Sequence, residues 1–508
     1  MVLLSTNALF LRVENNLFRV DLMEMFNGYS FALLFKFNTM KKLLVPILLC
    51  LALNTSAQWA FRLPSIISNH AVLQQSTDVK LWGWAQSGST VKISCSWNPT
   101  DTVKAEPRKD WTWDAIVKTP KAGGPYTITF ISSSQKVVIE DILIGEVWLC
   151  SGQSNMEYAF NWESKPIDVG DAVAKSANNQ LRFFQLSHTY SIYPKDNSDG
   201  EWKISSPETT PSMSVAGYFF GKTINEKTKA PVGLIASYWG GTNVQSWIPN
   251  EVFAENAELK TLAEDTKAVN WAPVAPAVIY NSMLQPLVNY KIAGAIWYQG
   301  EGNTGEPQNY SKLFEGLITG WRKAFNNDFP FYFVQIAPWS GYGKNSAAYL
   351  REQQEAVLHL PKTGMITVGD LVDNIKDIHP RIKKEVGMRL VNLALKEHYG
   401  FQDVNPYHPR YKNFSIKKDK INIRFTTSGK LICKAKTPAN FQLAGADNQF
   451  FPAVAKIEKD GSITVSSKEV KVPVSVRYCF TNDATPDLFD TNGLPLIPFR
   501  TDMIQYKP

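Results

Sequence analysis

Residues 142–156 read ILIGEVWLCSGQSNM. Residues 142–149 form an almost continuous apolar run, which is typical of a strand buried on both faces of a parallel sheet. The GQSNM segment after it places Ser154 where we expect the strand to turn into a helix. Backbone N–H groups at such a turn lack helical partners and favour negative charge. This stretch predicts an α/β fold and marks Ser154 as a candidate nucleophile, with a helix N-cap as the alternative role.

The pattern of apolar runs continues downstream of this serine. Four more runs of strand length lie at residues 232–238, 292–298, 331–336 and 365–368. Helices are predicted between and after them, at residues 310–325, 347–360 and 383–399. Alternating strands and helices predict a three-layer α/β/α domain with a parallel sheet, which we place at residues 141–400. Ligands of such domains bind beyond the carboxyl ends of the strands.

Short β-rich segments separated by turn residues flank this domain on both sides. We predict β-sandwich-like domains at residues 58–140 and 401–508. The strands of the first are expected at residues 79–84, 90–95, 111–113 and 126–130, and those of the second at residues 420–425, 430–435, 462–465 and 472–478.

The first 57 residues carry a different signal. Residues 40–57, MKKLLVPILLCLALNTSA, combine two lysines, an apolar segment and a small-residue cleavage site, as a secretory signal peptide does. The apolar segment is too short to span a bilayer, and Leu49 before Cys50 disfavours a lipoprotein anchor. Because a signal peptide starts a chain, we expect residues 1–39 to be a non-native extension, with a genuine extension or a core segment as the alternative. The protein is therefore expected to be exported, to the periplasm or the exterior.

Composition narrows the class of protein. Of the 508 residues, 44% are hydrophobic and 19% charged, which excludes a disordered, collagen-like or coiled-coil chain. Without residues 1–57 the chain has 48 basic and 43 acidic residues, and a net charge of +5 is too small to favour nucleic acid as a partner. Four cysteines then remain, too few for a disulfide framework, although one pair is compatible with the sequence. The six histidines are scattered, so we expect no structural metal.

Three further loops after predicted strands carry candidate site residues. Gly240 and Gly241 allow a backbone N–H to approach a ligand, with a plain tight turn as the alternative. The side-chain amide of Asn303 is a candidate donor to an oxyanion, and a turn residue that caps its own backbone is the alternative. Imidazole is the usual base for a serine hydroxyl, and a carboxylate usually orients the imidazole. His379 and Asp377 are therefore the candidate pair, and the alternative is that His379 is a solvated loop residue.

Four residues in chain order, Ser154, Gly241 (or Gly240), Asn303 and His379, match the signature blocks of the SGNH hydrolases. The longer strings GEVWLCSGQSNM, WGGTNVQSW, WYQGEGN and DIHP resemble the sialate O-acetylesterase branch and related polysaccharide acetylesterases. The likeness extends to LPSIISNHAVLQQ upstream and to VPVSVRYCFTN and GLPLIPFRTD downstream, and it leaves out residues 1–57. It implies five parallel strands between helices, no cofactor, no metal, and an acetylated sugar or glycan as the partner.

The resemblance also implies roles for these residues. Ser154 would attack the acetyl carbonyl, and His379 would take its proton and later activate the water that hydrolyses the acetyl-enzyme. The N–H of Ser154, an N–H of Gly240 or Gly241, and the Asn303 amide would hold the oxyanion.

One position departs from the pattern of the superfamily. Many SGNH enzymes place the orienting aspartate three residues before the histidine, where this chain has Lys376. We choose Asp377 as the orienting group of His379, with Asp373, Asp370 or a backbone carbonyl as alternatives. Its loss should be milder than loss of the nucleophile.

Five further residues are predicted to contact substrate: Gln153, Gln299, Glu301, Arg381 and Trp247. Among them, Gln299 and Glu301 are expected to shape the site rather than to catalyse, and Arg381 is the candidate clamp for a sugar carboxylate. Trp247 is a candidate sugar platform, as are Trp271 and Trp339, with core or rim packing as the alternative.

The leading interpretation is an exported serine esterase that removes O-acetyl groups from carbohydrates, with 9-O-acetylated sialic acid as the leading substrate. The alternatives are an acetylesterase for xylan, xyloglucan or pectin and a non-catalytic carbohydrate-binding protein, which a chromogenic acetyl ester would distinguish from an enzyme. A lipase is disfavoured because the mature chain lacks a long apolar lid segment. The sequence indicates no membrane anchor and no particular oligomeric state.

Overall fold

The computed structural model describes residues 61–507 and the backbone of three N-terminal strands. These strands, β1 (Val2–Ser5), β2 (Ala8–Val13) and β3 (Asn16–Asp21), pair in that order as an antiparallel sheet. They belong to a unit of residues 1–59, and residues 60–508 form a second compact unit. The predicted signal peptide and the rest of the predicted extension lie outside the described residues. Within the described ranges, no helix has the length and apolar character needed to cross a membrane.

Two packed β-sheets open the second unit. Their strands are β4 (Val72–Gln74), β5 (Asp78–Trp84), β6 (Val91–Cys95), β7 (Asn98–Ala105), β8 (Thr112–Lys118), β9 (Gly123–Ser132) and β10 (Gln135–Gly152). One sheet has the order β7-β6-β9-β10 with antiparallel pairs, and β4 joins it parallel to β10. The other sheet consists of β5 and β8. Trp113 of β8 packs on Phe130 of β9, with 5.9 Å between the ring centroids. The apolar faces of the two sheets thus meet as the predicted sandwich.

Strand β10 joins this sandwich to the central sheet. Its first part pairs with β9, and its last residues, from Glu146 to Gly152, pair with strands of the central sheet. The predicted boundary between residues 140 and 141 therefore lies inside one 18-residue strand.

The central region alternates strands with helices, as predicted. Its elements are α1 (Ser154–Glu157), β11 (Asn178–Leu186), β12 (Gly200–Ser205), α2 (Val215–Thr228), β13 (Val232–Tyr238), α3 (Asn250–Glu255), α4 (Ala257–Glu264), β14 (Gly294–Tyr298), α5 (Tyr310–Ala324), β15 (Phe331–Gln335), α6 (Ser346–Ala356), β16 (Thr363–Thr367) and α7 (Lys384–Leu393). Short 3₁₀ turns include Val244–Trp247 and Glu301–Asn303, and a π-helical turn, Ala394–His398, extends α7. The three predicted helices correspond to α5, α6 and α7.

The central sheet has the order β12-β11-β13-β10-β14-β15-β16. Every pair is parallel except β11 with β12, so the sheet has six parallel strands and one antiparallel edge strand. The expectation of five parallel strands was therefore wrong by one. Strand β11 was missed because it begins with the polar residues NNQ, which leave a short apolar run, and β12 because an edge strand has only a weak apolar pattern.

The two faces of the central sheet pack against different helices. Along β14, Trp297 lies in a core with α5, and the next residue, Tyr298, lies in a core with α2 and α7. Successive side chains of a strand point to opposite faces, so a continuously apolar run supplies both cores. This explains the three-layer arrangement that the sequence predicts.

An antiparallel β region follows the π-helical turn. Its strands are β17 (Arg410–Lys417), β18 (Lys420–Thr426), β19 (Leu431–Cys433), β20 (Phe441–Ala444), β21 (Phe450–Ile457), β22 (Ile463–Ser466), β23 (Ser475–Tyr478), β24 (Leu488–Asp490) and β25 (Phe499–Arg500). Seven of them form a sheet of order β17-β18-β22-β21-β20-β23-β25, and β19 pairs with β24. The four cysteines of the described residues, Cys95, Cys150, Cys433 and Cys479, are all free thiols.

The carboxyl ends of the central strands lie level with one another. Gly152 at the end of β10 is in register with Tyr238 of β13 and Tyr298 of β14. Its φ is +139°, and a Cβ there would lie 2.2 Å from the carbonyl oxygen of Tyr298. Only glycine fits at this close approach. The chain can therefore leave the sheet here and place Ser154 at its carboxyl edge.

Candidate active site

Four loops meet at this edge and bring together the residues that the sequence singles out. Ser154 follows β10, Gly240 and Gly241 follow β13, Asn303 ends a 3₁₀ turn after β14, and His379 lies in the long loop between β16 and α7. All five residues line one cavity of about 700 Å³. The loops that follow parallel strands lie at the same edge of a sheet. This topology explains why the five residues are close together.

Ser154 is the first residue of a single-turn helix. Gln153 before it is extended and occupies the N-cap position without a side-chain cap. The alternative role of Ser154 as an N-cap is therefore excluded. As a first helical residue it has no helical partner for its own N–H. A four-residue helix has only a small dipole. An anion at this turn would therefore be bound by the backbone N–H groups and not by the helix macrodipole.

The serine hydroxyl and the imidazole are in hydrogen-bonding contact. Ser154 Oγ lies 2.9 Å from His379 Nε2. Trp162 and the imidazole form a T-shaped pair, with 5.4 Å between the ring centroids. Burial and the nearby ammonium of Lys383 lower the pKa of His379, and Asp377 acts in the opposite direction. The ring is therefore kept neutral at mild pH, as a general base requires.

Three carboxylates were considered as the group that orients His379. Asp377 Oδ1 accepts the backbone N–H of His379 at 2.9 Å and lies 3.9 Å from the ring Nδ1, beyond hydrogen-bond distance. Asp373 is engaged with Arg381, and Asp370 binds Arg389 through both carboxylate oxygens, at 2.7 Å each. Asp377 is thus the carboxylate placed beside the ring, and its direct contact is to the backbone of the histidine.

The structure distinguishes the two candidate glycines. The N–H of Gly240 donates to Glu157 Oε2 at 2.7 Å, and Glu157 Oε1 lies 3.3 Å from His188 Nε2. The N–H of Gly240 is therefore already bound by the Glu157 carboxylate. Of the two glycines, Gly241 remains the candidate oxyanion donor. Gly241 has a φ of +77°, and a Cβ there would lie 3.0 Å from the indole of Trp271.

The Asn303 side chain is held by three hydrogen bonds. Its Oδ1 accepts from the N–H of Val244 at 2.9 Å and from Gln299 Nε2 at 2.8 Å, and its Nδ2 donates to Gln245 Oε1 at 2.8 Å. A carboxamide nitrogen carries two hydrogens, so one N–H remains beyond the bond to Gln245. The amide is thus fixed in orientation with a donor to spare in the cavity wall.

The cavity combines an apolar wall with charged groups. Its lining includes Leu262, Val269, Trp271 and Val274, together with Asp265, Lys267 and Glu306. Trp271 is 71% exposed, so a large aromatic face is open to solvent beside Gly241. Among the residues the structure describes, no group of three or more His, Cys, Asp or Glu side chains is placed to hold a metal ion.

The predicted substrate contacts divide into two groups. Gln153 and Glu301 line the cavity. The expectation was wrong for Trp247, which is fully buried and packs its ring against Trp297, and for Gln299, which is fully buried beneath Asn303. Both residues shape the site from behind, in line with the scaffolding role expected of Gln299.

Two further candidates lie outside the lining of the cavity. Arg381 is half-buried, and its guanidinium pairs with Asp373 at 2.7 Å, so the proposed clamp for a sugar carboxylate is already neutralised. Trp339 donates to the carbonyl of Lys376 at 3.1 Å. Of the tryptophans considered as a sugar platform, Trp271 is the one in the cavity wall.

Sequence reasoning missed three polar residues around the serine and histidine. Asn155 and Glu157 lie one and three residues after Ser154, and this proximity was the available signal. Lys383, four residues after His379, gave no signal because lysines are almost always exposed, whereas this one has 1% of its surface exposed. Its ammonium donates to Asn155 Oδ1 at 2.6 Å.

The chain is similar to known carbohydrate esterases. The sequence profile of the family described as carbohydrate esterase, sialic acid-specific acetylesterase, matches residues 144–396. A sialate O-acetylesterase from Rattus norvegicus is 28% identical over an alignment of 439 positions that covers 73% of this chain and 80% of that protein. The sialate O-acetylesterase from Homo sapiens is 26% identical over 498 residues, covering 87% and 93% of the two chains.

A solved structure extends the likeness to the whole fold. The crystal structure of a carbohydrate acetylesterase from Xanthomonas citri superposes with a TM-score of 0.79 at 30% identity. The match covers 88% of this chain and all of that one. The serine and histidine that the sequence singled out are in contact at the carboxyl edge of this shared sheet. The chain therefore belongs to the carbohydrate esterase family of sialic acid-specific acetylesterases, and it is a carbohydrate acetylesterase.

Proposed function

We propose that this acetylesterase is exported and removes the 9-O-acetyl group of sialic acid by a serine mechanism. The contact of 2.9 Å between Ser154 Oγ and His379 Nε2, in the wall of a cavity of about 700 Å³, carries the proposal. The family description and the mammalian relatives named sialate O-acetylesterases support the sugar. The signal-peptide pattern of residues 40–57 supports export.

The first half of the reaction transfers the acetyl group to the enzyme. Ser154 Oγ attacks the acetyl carbonyl carbon while its proton passes to His379 Nε2. The carbonyl electron pair moves onto oxygen, which is held by the N–H groups of Ser154 and Gly241 and by the Asn303 amide. Collapse of this intermediate breaks the bond to the sugar oxygen, which leaves with the proton from the imidazolium. An acetyl-serine and a free sugar hydroxyl result.

The second half reverses these roles with water as the nucleophile. A water molecule gives a proton to His379 Nε2 and attacks the acetyl-serine carbonyl. The same donors hold the second oxyanion. When the intermediate collapses, Ser154 Oγ leaves with the proton from the imidazolium and acetate is released. The complete reaction consumes one water molecule and returns Ser154 and His379 to their starting states.

The pH dependence follows from the state of the imidazole. The neutral ring is the active form, and burial with Lys383 lowers the pKa of His379 below its ordinary value of 6.5. Activity is therefore present above that lowered pKa and is lost as the pH falls through it. We expect kcat/KM for an aryl acetate, measured from about pH 4.5 to pH 8, to fall to half of its plateau at a pH below 6.5. A half-maximal rate reached at or above pH 6.5 would contradict this assignment of the base.

A direct comparison of substrates tests the sugar. We expect wild-type protein to release acetate faster from 9-O-acetylated sialic acid than from acetylated xylan, with Ser154→Ala inactive on both. Faster release from xylan would overturn the sugar but leave the esterase. Hydrolysis of an aryl acetate alone would point to another sugar, and no hydrolysis at all would favour the carbohydrate-binding protein.

Among the described residues that line the cavity, one exposed cation is available to the carboxylate of sialic acid. Lys267 lines the cavity and is exposed, whereas Lys260 of the neighbouring α4 lies outside the lining. Lys267→Met should therefore raise KM for the sialic acid and leave hydrolysis of the aryl acetate unchanged, with Lys260→Met as the matched control. The same result for both variants would exclude a specific contact to the carboxylate.

A neutral polysaccharide is the second candidate substrate, and a specific observation favours it. Asp265 and Glu306 line the same cavity as Lys267. Their negative charges repel a carboxylate and leave a neutral acetylated sugar unaffected. The comparison of sialic acid with xylan distinguishes these two candidates.

Export is tested independently of the sugar. N-terminal sequencing of the secreted or periplasmic protein should begin at Gln58. A peptide from before Met40 would show that residues 1–39 are translated and would overturn the proposed start.

A further inference from the structure

A buried lysine binds the residue that follows Ser154. Lys383 is the residue before α7, and 1% of its surface is exposed. Its Nζ donates to Asn155 Oδ1 at 2.6 Å and lies 4.9 Å from the ring centroid of Tyr158 and 5.4 Å from that of Tyr298. A buried ammonium is costly unless it is paired and hydrogen-bonded, so its presence beside the reacting groups calls for a reason.

Asn155 connects this lysine to three loops of the site. It is fully buried directly after Ser154. Its Nδ2 donates to Glu301 Oε1 at 2.6 Å and to the carbonyl of Ile378, the residue before His379, at 3.1 Å. Glu301 begins the 3₁₀ turn that ends in Asn303. One carboxamide therefore touches the loops of the nucleophile, the base and the oxyanion donor.

We propose that Lys383 is a positioning residue of the esterase: through Asn155 it locks the loops of Ser154, Asn303 and His379 together, and its ammonium disfavours protonation of the imidazole. The proposal deepens the proposed function and rests on the roles given there to the serine and the histidine. Lys383 touches neither of them in hydrogen-bond distance and acts through its neighbours.

The hydrogen bonds of Asn155 explain why a lysine is needed. The Nδ2 of Asn155 has two acceptors, so its Oδ1 must face a donor, and Lys383 Nζ is that donor. A buried carboxamide with one end unpaired would lose much of its preference for a single orientation. With all of its partners present, Asn155 has one orientation and the three loops have one relative placement.

The charge of Lys383 acts on the histidine. The groups that face the ammonium are the carboxylates Glu301, Asp373, Asp377 and Asp168 and the two tyrosine rings. The charged groups that act on His379 are Lys383 and Asp377, with opposite effects. Burial lowers the pKa of Lys383 to about 7. Across the acid limb of the pH profile the ammonium is therefore charged and disfavours the imidazolium.

The start of α7 is secured independently of the lysine side chain. Asp168 Oδ1 accepts the backbone N–H of Lys383 at 3.2 Å, and its Oδ2 accepts that of Glu385 at 3.1 Å. Substitutions at Lys383 keep these bonds. The adjacent Lys384 is exposed and lies 5.5 Å from the ring of Phe219, which makes it a matched control on the same turn.

Three variants of the full-length enzyme separate the hydrogen bond from Lys383 to Asn155 from the positive charge of Lys383. Lys383→Met removes both, Lys383→Gln keeps an N–H donor without the charge, and Lys383→Arg keeps the charge. Each is assayed for kcat and KM on an aryl acetate across the pH range, with Lys384→Met as the control and thermal unfolding as the measure of folding.

We expect Lys383→Met to lower kcat by about 10- to 100-fold, since small displacements of reacting groups have effects of this size, and to leave KM nearly unchanged. Its acid limb should move upward by about 0.5 to 1 pH unit, because the imidazolium has lost a repelling charge. Lys383→Gln should show the same upward movement with a smaller loss of kcat. Lys383→Arg should keep the acid limb of the wild type.

Two results would overturn the proposal. One is that the acid limb of the pH profile of kcat in Lys383→Met and Lys383→Gln coincides with that of the wild type. The lysine would then have only a structural role. The other is an equal movement in Lys384→Met. If Lys383→Met does not fold, Lys383→Gln alone still decides the effect of the charge.

A double substitution tests the route through Asn155. If Lys383 acts through this residue, Lys383→Met combined with Asn155→Ala should lower kcat no further than Asn155→Ala alone. Additive losses would overturn that route. Failure of the proposed function has a different signature, since the wild type would then not hydrolyse the aryl acetate or Ser154→Ala would remain active.

Discussion

Replacing Ser154 by alanine is expected to lower kcat by about 10⁶-fold, an effect that no other single substitution in this protein should exceed. The serine supplies the electron pair that forms the acyl-enzyme, and no neighbouring side chain takes its place in the geometry. Its Oγ is in hydrogen-bonding contact with His379 Nε2 at 2.9 Å. The loss of a single hydroxyl from a partly exposed turn should change the free energy of unfolding little, so the fall in kcat would be chemical. Acetate release under single-turnover conditions is the measurement.

The base provides the control for this experiment. Because the serine and histidine act as a unit, His379→Ala should be as damaging as Ser154→Ala, and the double variant no worse than either. Asp377→Asn should lose only about tenfold, because its carboxylate is 3.9 Å from Nδ1 and makes no hydrogen bond to the ring. A Ser154→Ala protein that retains a tenth of its activity would exclude this serine as the nucleophile.

The second large effect is expected at the oxyanion donor. Asn303→Asp should lower kcat by about 10³-fold, because a carboxylate replaces the donor with a group that repels the developing negative charge. The substitution is isosteric and keeps the two bonds accepted from Val244 and Gln299. Gln245 can meet the new oxygen by turning its amide. Thermal unfolding should therefore stay near that of the wild type while kcat falls and KM changes little.

A charge control accompanies this variant. Gly305 lines the same cavity, and a Cβ added there would meet no atom within 4 Å. Gly305→Asp therefore adds an equal charge to the same wall without touching a donor. If it lowers kcat as much as Asn303→Asp does, the effect belongs to the net charge of the cavity and Asn303 is not an oxyanion donor.

The sequence predicted the layered architecture because periodicity is a local property. The helix α5 and the buried strands β13 to β15 lie within a few residues of their predicted bounds, since apolar spacing determines which face of each element is buried. Strand β12 escaped detection because an edge strand has less need of apolar residues. Strands and helices were therefore predictable where burial requires a regular spacing of apolar residues. Elements without this requirement were missed.

The sequence also predicted which residues come together in the site, because of the topology of the sheet. Parallel strands end at a common edge, so a serine, two glycines, an asparagine and a histidine that each follow such a strand must come close. The sequence had no means to assign their partners. The donation from Gly240 to Glu157 and the pairing of Arg381 with Asp373 depend on ångström-scale loop positions.

The sequence by itself determined the three-layer fold, the order of the site residues and the family, because these follow from local periodicity and from motifs read along the chain. Only the tertiary structure decided that Trp247 and Gln299 are buried and that Trp271 is open to the cavity. It alone placed Lys383 against Asn155, 228 positions apart in the chain. The physical reason is that hydrogen-bond partners are chosen by distance in space, and no pattern of neighbours along the chain encodes that distance.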